Sequence, residues 1–155
     1  MKGLVYKSTG SWYSVRSETG DMYDCKIKGK LRLENINSTN PVVVGDIVEF
    51  VVEEHDLQEI GIIQKIHDRR NYILRKSVNL SKQTHILASN IDLLLLVITI
   101  KNPITTTSFI DRFLVSAEAY SVKTILVFNK CDIYDKNDEI LLNLLINIYE
   151  SIGYD

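Results

Sequence analysis

At 155 residues, 45% hydrophobic and 25% charged, the chain has the composition of a soluble globular protein of one or two small domains, which excludes disordered, collagen-like and coiled-coil classes. The net charge of −2 is unevenly spread. Through Lys82 there are 13 Lys and Arg against 11 Asp and Glu, and beyond it 5 against 9, a weak sign that the first half meets a polyanion.

The chain opens on short strands broken by turns. Residues 2–7 form one, and residues 11–16 a second, in which Tyr13 and Val15 alternate with polar neighbours. Glu18-Thr19-Gly20-Asp21 is a turn, followed by a strand over 22–33 and a loop over 35–40 ended by Pro41. Residues 42–52 are rich in β-branched side chains but are interrupted by Gly45-Asp46, which predicts a strand, a tight turn and another strand. A last strand is expected over 59–66. Five or six strands without helical period predict a small closed barrel over residues 1–68, OB-type, with an SH3-like barrel as the alternative.

Lys26, Lys28, Lys30 and Arg32 recur at every second position, so an unbroken strand would project all four from one face, where a phosphate backbone could be held. The plain alternative is a solvated strand guarded by lysine, or a row scattered by Gly29. Trp12, Tyr13 and Tyr23 could stack on bases, although aromatics of a small barrel more often fill its core. The basic stretch containing Arg69, Arg70 and Arg75 follows, and residues 69–82 read as a domain junction whose Arg69 and Arg70 could also face RNA.

From residue 83 the rhythm changes. Residues 91–100 are a continuous apolar strand of the kind buried on both faces. Ser108, with Asp111 three residues on, signals a helix whose apolar face holds Ile110, Phe113, Leu114 and Ala117. A strand over 124–128 leads into Asn129-Lys130-Cys131-Asp132. A last helix over 138–152 places Leu141, Leu145, Ile148 and Ile152 in register, with Gly153 as its stop. The order predicts a parallel βαβ unit whose ligands sit at the carboxyl ends of its strands, where residues 129–132 fall.

Asn-Lys-x-Asp after a buried strand is the pattern by which GTP-binding proteins recognise guanine. The Asp132 carboxylate can accept two parallel hydrogen bonds, from the ring N–H and the exocyclic amine of guanine, while adenine would leave it unpaired. Asn129 would brace the neighbouring loops, and the Lys130 stem would lie along the base. The bland alternative is a polar turn with Asp132 as a cap. Phosphates are usually held by Gly-x-x-x-x-Gly-Lys-Ser/Thr, and the one Gly-Lys pair, Gly29-Lys30, does not fit that loop. Either the motif is coincidental, or the nucleotide domain is circularly permuted and its phosphate half lies beyond Asp155.

Cys25 and Cys131 read as free thiols in a reducing compartment, and His55, His67 and His85 are isolated, so no metal site is expected. No apolar run approaches the ~20 residues that span a bilayer, and a cytoplasmic, monomeric protein is expected.

Taken together, Val44-Gly45-Asp46-Ile47-Val48, Arg69-Arg70-Asn71, Ala88-Ser89-Asn90-Ile91-Asp92, Ile110-Asp111-Arg112-Phe113-Leu114-Val115 and Asn129-Lys130-Cys131-Asp132 resemble, in that order, the ribosome small-subunit-dependent GTPase A family. The resemblance covers nearly the whole chain. It implies an N-terminal OB domain docking on 16S rRNA of the small ribosomal subunit, followed over residues 83–155 by the guanine-specificity half of a circularly permuted GTPase that takes GTP or GDP with Mg2+. Family members continue into a phosphate loop, switch regions and a zinc-binding C-terminal domain. This sequence matches none of those, so no catalytic residue can be carried over, and this chain alone is expected to be inactive, with zinc expected only in the missing domain. The alternative is a non-enzymatic OB-fold RNA-binding module with an α/β appendage.

Overall fold

Alternation decides the first half. In strand β2 (Trp12–Ser17), Tyr13, Val15 and Ser17 are buried while Trp12 and Arg16 are exposed, the period of two expected of a strand with one face in a core. The computed structural model describes residues 1–27, 41–55, 58–76 and 84–155. β1 (Lys2–Thr9) and β3 (Met22–Ile27) pair antiparallel with β2, Val5 facing Val15 and Tyr13 facing Cys25. β4 (Ile47–His55) and β5 (Gln58–Ile66) form an antiparallel pair, β4 returns to β1, and β5 runs parallel to β3. The barrel therefore closes in the order β1-β2-β3-β5-β4, the expected five-stranded OB-type architecture. Its core joins Val5, Tyr13, Val15, Cys25, Val42, Val48, Phe50 and Ile63, and full burial of each large apolar member stabilises by about 1.5–3 kcal/mol.

The segment before β4 departs from the expected strand–turn–strand. Val44 makes only an isolated bridge to Ala88, and the turn is built around the buried Asp46, whose Oδ2 accepts from Val43 N at 2.9 Å. Gly45 sits there at φ +90°, and a Cβ on it would lie 2.0 Å from the carbonyl oxygen of Ser89, so both the conformation and the close approach require glycine.

Within the stretch expected as a junction, Tyr72–Lys76 is instead strand β6, antiparallel to β7 (Thr84–Ser89). This hairpin belongs to the first of two compact units, Met1–Ile91. The reason is long-range. Arg69 donates from Nε and Nη2 to the two carboxylate oxygens of Asp46, both at 2.7 Å, and Ser89 Oγ donates to Asp46 Oδ1 at 2.6 Å. Asn90 and Asn71 extend the clasp, Asn90 Nδ2 donating to Gly45 O and the Asn71 amide pairing with both backbone groups of Ile91.

The second unit, Asp92–Asp155, holds the parallel pair β8 (Leu94–Ile98) and β9 (Thr124–Phe128) with helices α1 (Thr107–Ala119) and α2 (Lys136–Ser151). α1 is capped by Thr106, which accepts from Phe109 N, rather than by Ser108 as the sequence suggests. α2 begins two residues earlier than expected because Asp135 and Asp138 form a capping box. It ends at Gly153 (φ +94°), with Gly153 N donating to Glu150 O and Tyr154 N to Tyr149 O, a Schellman closure. Its buried face is also shifted. Leu145 and Tyr149 are buried with Leu142 against them, while Leu141, Ile148 and Ile152 are exposed. Tyr149 can take the inner position because its hydroxyl donates to Asp111 Oδ1 at 2.9 Å.

Both helices cover the side of the sheet that carries Leu96 and Ile98. Leu95 and Val97 on the other side are 58% and 57% exposed, so no described residue of this chain covers that face of the apolar run. Among the described residues no helix is long and apolar enough to cross a membrane.

Candidate guanine-reading loop

The Asn129-Lys130-Cys131-Asp132 stretch leaves β9 at its carboxyl end, where loops of parallel sheets form ligand sites. Asn129 N donates to Ile98 O at 2.9 Å, so the first residue of the loop is still tied to β8. Lys130 then turns left-handed (φ 62°), which lets its N–H reach Asn129 Oδ1 at 2.8 Å. A single 3₁₀ turn, Cys131–Ile133, carries Asp132 outward. The Asp132 side chain is exposed, and no described residue hydrogen-bonds or ion-pairs with its carboxylate. The free carboxylate retains both oxygens for an incoming pair of N–H donors.

Two braces that the motif does not reveal hold this loop. Tyr134 lies between its two sides: its hydroxyl donates to Asn129 O at 2.6 Å and accepts from Ile100 N at 3.0 Å. The loop after β8 is thereby fastened to the loop after β9. Lys101, next to Ile100, pairs with Asp135 at 2.9 Å and Asp138 at 2.7 Å, the two members of the α2 capping box. These carboxylates, Asp138 first, raise the Lys101 ammonium to about 12, and Lys101 is the main cause that lowers Asp135 to about 2, with the backbone N–H groups of Asp138 and Asn137 contributing. The Lys130 ammonium donates to Asn102 O, stretching its stem from one loop to the other. The sequence offers no local signal for Tyr134 or Lys101, since the bonds that join the two loops, Tyr134 to Ile100 and Lys101 to Asp135 and Asp138, span 34 or more residues.

The described residues among those expected to touch RNA, Lys26, Arg69 and Arg70, have different surroundings. Lys28, Lys30 and Arg32, and with them the end of the basic row, lie outside the described residues. Lys26 is exposed, with its ammonium 4.2 Å from the Trp12 ring centroid. Arg70 is exposed, its guanidinium donating to Asn90 O at 3.3 Å. Arg69 points inward: its side chain is 5% exposed against a fully buried Asp46, and it also donates to Pro41 O. Its guanidinium is engaged within the fold, which presents little of it to a polyanion. The two thiols also part company. Cys25 is in the barrel core, where burial first and Asp24 second push it up to about 12, while Cys131 is exposed in the loop.

Against known families, the profile described as RsgA GTPase matches residues 66–155, and that described as RsgA N-terminal domain matches residues 2–63. A small ribosomal subunit biogenesis GTPase RsgA from Christiangramia forsetii is 57% identical over 155 residues, all of this chain and 49% of that protein. The protein of the same name from Bacteroides fragilis is 53% identical over 154 residues, 99% of this chain and 49% of its own length. Among solved structures, YjeQ from Thermotoga maritima superposes with a TM-score of 0.69 at 34% identity, and YloQ, a circularly permuted GTPase, with 0.64 at 27%. Each match covers 99% of this chain and 49% of the other. The chain thus spans about half the length of the relatives it matches.

Proposed function

The chain belongs to the RsgA GTPase family, and from that premise we propose that it is the guanine-reading part of a GTP-hydrolysing protein that acts in biogenesis of the small ribosomal subunit. Asp132 pairs with the ring N–H and amine of guanine, Lys130 lays its stem along the base, and Asn129 holds the loop together. The observation that carries this reading is the Asp132 carboxylate, exposed and without a partner among the described residues, on a loop fixed to both strands of the sheet.

The barrel supplies the contact with ribosomal RNA. No Gly-x-x-x-x-Gly-Lys-Ser/Thr occurs in the chain, so its residues offer no phosphate loop of that kind. What these residues do is choose the base, exclude adenine by leaving a desolvated carboxylate unpaired, and hold the nucleotide in one orientation.

The reading is tested in the whole protein by competition between nucleotides. ATP is expected to displace bound GTP only at a concentration on the order of 100-fold higher or more, the discrimination given by a site that hydrogen-bonds its substrate. Displacement by ATP and GTP at similar concentrations would remove the guanine assignment.

A further inference from the structure

We infer that the Tyr134 hydroxyl determines specificity: it stands in for a ladder bond between β8 and β9 and so sets the Asp132 carboxylate at the angle that tells guanine from hypoxanthine, the same base without the exocyclic amine. This deepens the guanine-reading proposal and rests on it. Tyr134 acts through the loop and is a positioning residue.

β8 and β9 run parallel, in register from Leu94 opposite Thr124 to Ile98 opposite Phe128. In a parallel ladder a bonded residue donates to the residue before its partner and accepts from the residue after it. Asn129 follows the last pair, and its N–H keeps the pattern by donating to Ile98 O at 2.9 Å. Its carbonyl would next accept from Ile100 N. The Tyr134 hydroxyl is inserted at that point instead, accepting from Ile100 N at 3.0 Å and donating to Asn129 O at 2.6 Å. Two hydrogen bonds in series therefore replace one, at the end of the strands where ligands of such sheets sit, and both backbone groups stay satisfied.

The same side chain closes the loop. Its bond to Asn129 O joins the two ends of residues 129–134, so Asp132 is carried on a ring and not on an open arm. Inside that ring Lys130 N donates to Asn129 Oδ1 at 2.8 Å, Ile133 N to Lys130 O at 3.1 Å and Tyr134 N to Cys131 O at 3.3 Å. The Tyr134 side chain packs against the apolar core of the second unit, which anchors the ring from within. Asp132 is exposed on it. A single N–H donor can follow a displaced carboxylate oxygen by a tilt of the base. Two parallel donors cannot both follow, because the carboxylate and the base must stay in one plane. Loosening the ring thus costs the amine bond of guanine more than the ring N–H bond that hypoxanthine shares.

Affinities of the whole protein for GTP and for inosine triphosphate, which keeps the ring N–H and lacks the amine, are measured side by side. The unaltered protein is compared with Tyr134→Phe and with Tyr149→Phe. The second variant is a matched control, since it removes a hydroxyl bond between α2 and α1, to Asp111, in the same unit. The unaltered protein should prefer GTP by roughly 10- to 150-fold, the worth of one hydrogen bond to a charged group. Tyr134→Phe should lose about tenfold for GTP and less than about threefold for inosine triphosphate, as expected of a misplaced contact. Tyr149→Phe should keep the full preference. Partial unfolding of a variant divides both affinities by the same competent fraction and leaves their ratio intact. An unchanged ratio in Tyr134→Phe, or an equal narrowing in Tyr149→Phe, would overturn this inference and leave the guanine assignment standing. No preference for GTP over inosine triphosphate in the unaltered protein would overturn both.

Discussion

The two compact units bury their apolar surface to different degrees. The barrel closes on itself, so Val15, Val48, Phe50 and Ile63 reach essentially complete burial, and its attached hairpin is clasped by a buried Asp46–Arg69 pair. The α/β unit has two strands with both helices on one face, and it leaves Leu95 and Val97 in solvent on the other. The first unit holds a buried ion pair in its clasp, while the second ties the loop after β9 through Tyr134 and Lys101. Mutational sensitivity should therefore follow the unit and not the residue type.

The largest expected effect is in the clasp. Asp46→Ala strips the Arg69 guanidinium of its partner in a buried site and should destabilise the first unit by about 3–5 kcal/mol in urea unfolding, with the Asp46→Asn, Arg69→Met double variant recovering part of the loss. Phe50→Ala should cost a similar 3–5 kcal/mol, whereas Leu95→Ala on the open sheet face should stay within about 0.5 kcal/mol. Comparable losses for Phe50→Ala and Leu95→Ala would erase the contrast between the units.

Next is Tyr134→Phe, which removes the hydroxyl shared by Asn129 O and Ile100 N. It should weaken the local structure by about 1–3 kcal/mol, seen as faster amide exchange at Ile100 and in residues 129–132 with the barrel amides unchanged. The cysteines give a chemical version of the comparison. At pH 8, Cys131 should react with a thiol reagent within the folded chain, while Cys25 should react only on unfolding, since burial both hides it and holds its thiol near 12. The smallest effect is electrostatic. Asp135, lowered to about 2 chiefly by Lys101, supports the α2 capping box above the ordinary carboxylate range. That support is lost as pH falls from about 4 towards 2, and Lys101→Met should move the Asp135 titration upward by NMR.

Local pattern made the barrel legible because strands such as Trp12–Ser17 carry their burial in a strict alternation. The β6–β7 hairpin was not legible, because a basic stretch reads as solvated until Asp46, 23 residues before Arg69, is known to receive it. The buried face of α2 was ambiguous for a different reason. Two apolar stripes run along it, and the hydroxyl bond from Tyr149 to Asp111, 38 residues away, favours the one through Leu142, Leu145 and Tyr149. The Asn129-Lys130-Cys131-Asp132 stretch is contiguous and legible as a motif, while the Tyr134 and Lys101 braces depend on contacts across the unit.

The central claim is that Asp132 reads guanine, and the most direct measurement is nucleotide selectivity of Asp132→Asn in the whole protein. Affinity for GTP should fall on the order of 100-fold while xanthosine triphosphate, whose ring carbonyl meets the new amide, becomes the preferred ligand. GTP affinity unchanged by the substitution, with no gain for the xanthine nucleotide, would contradict the claim.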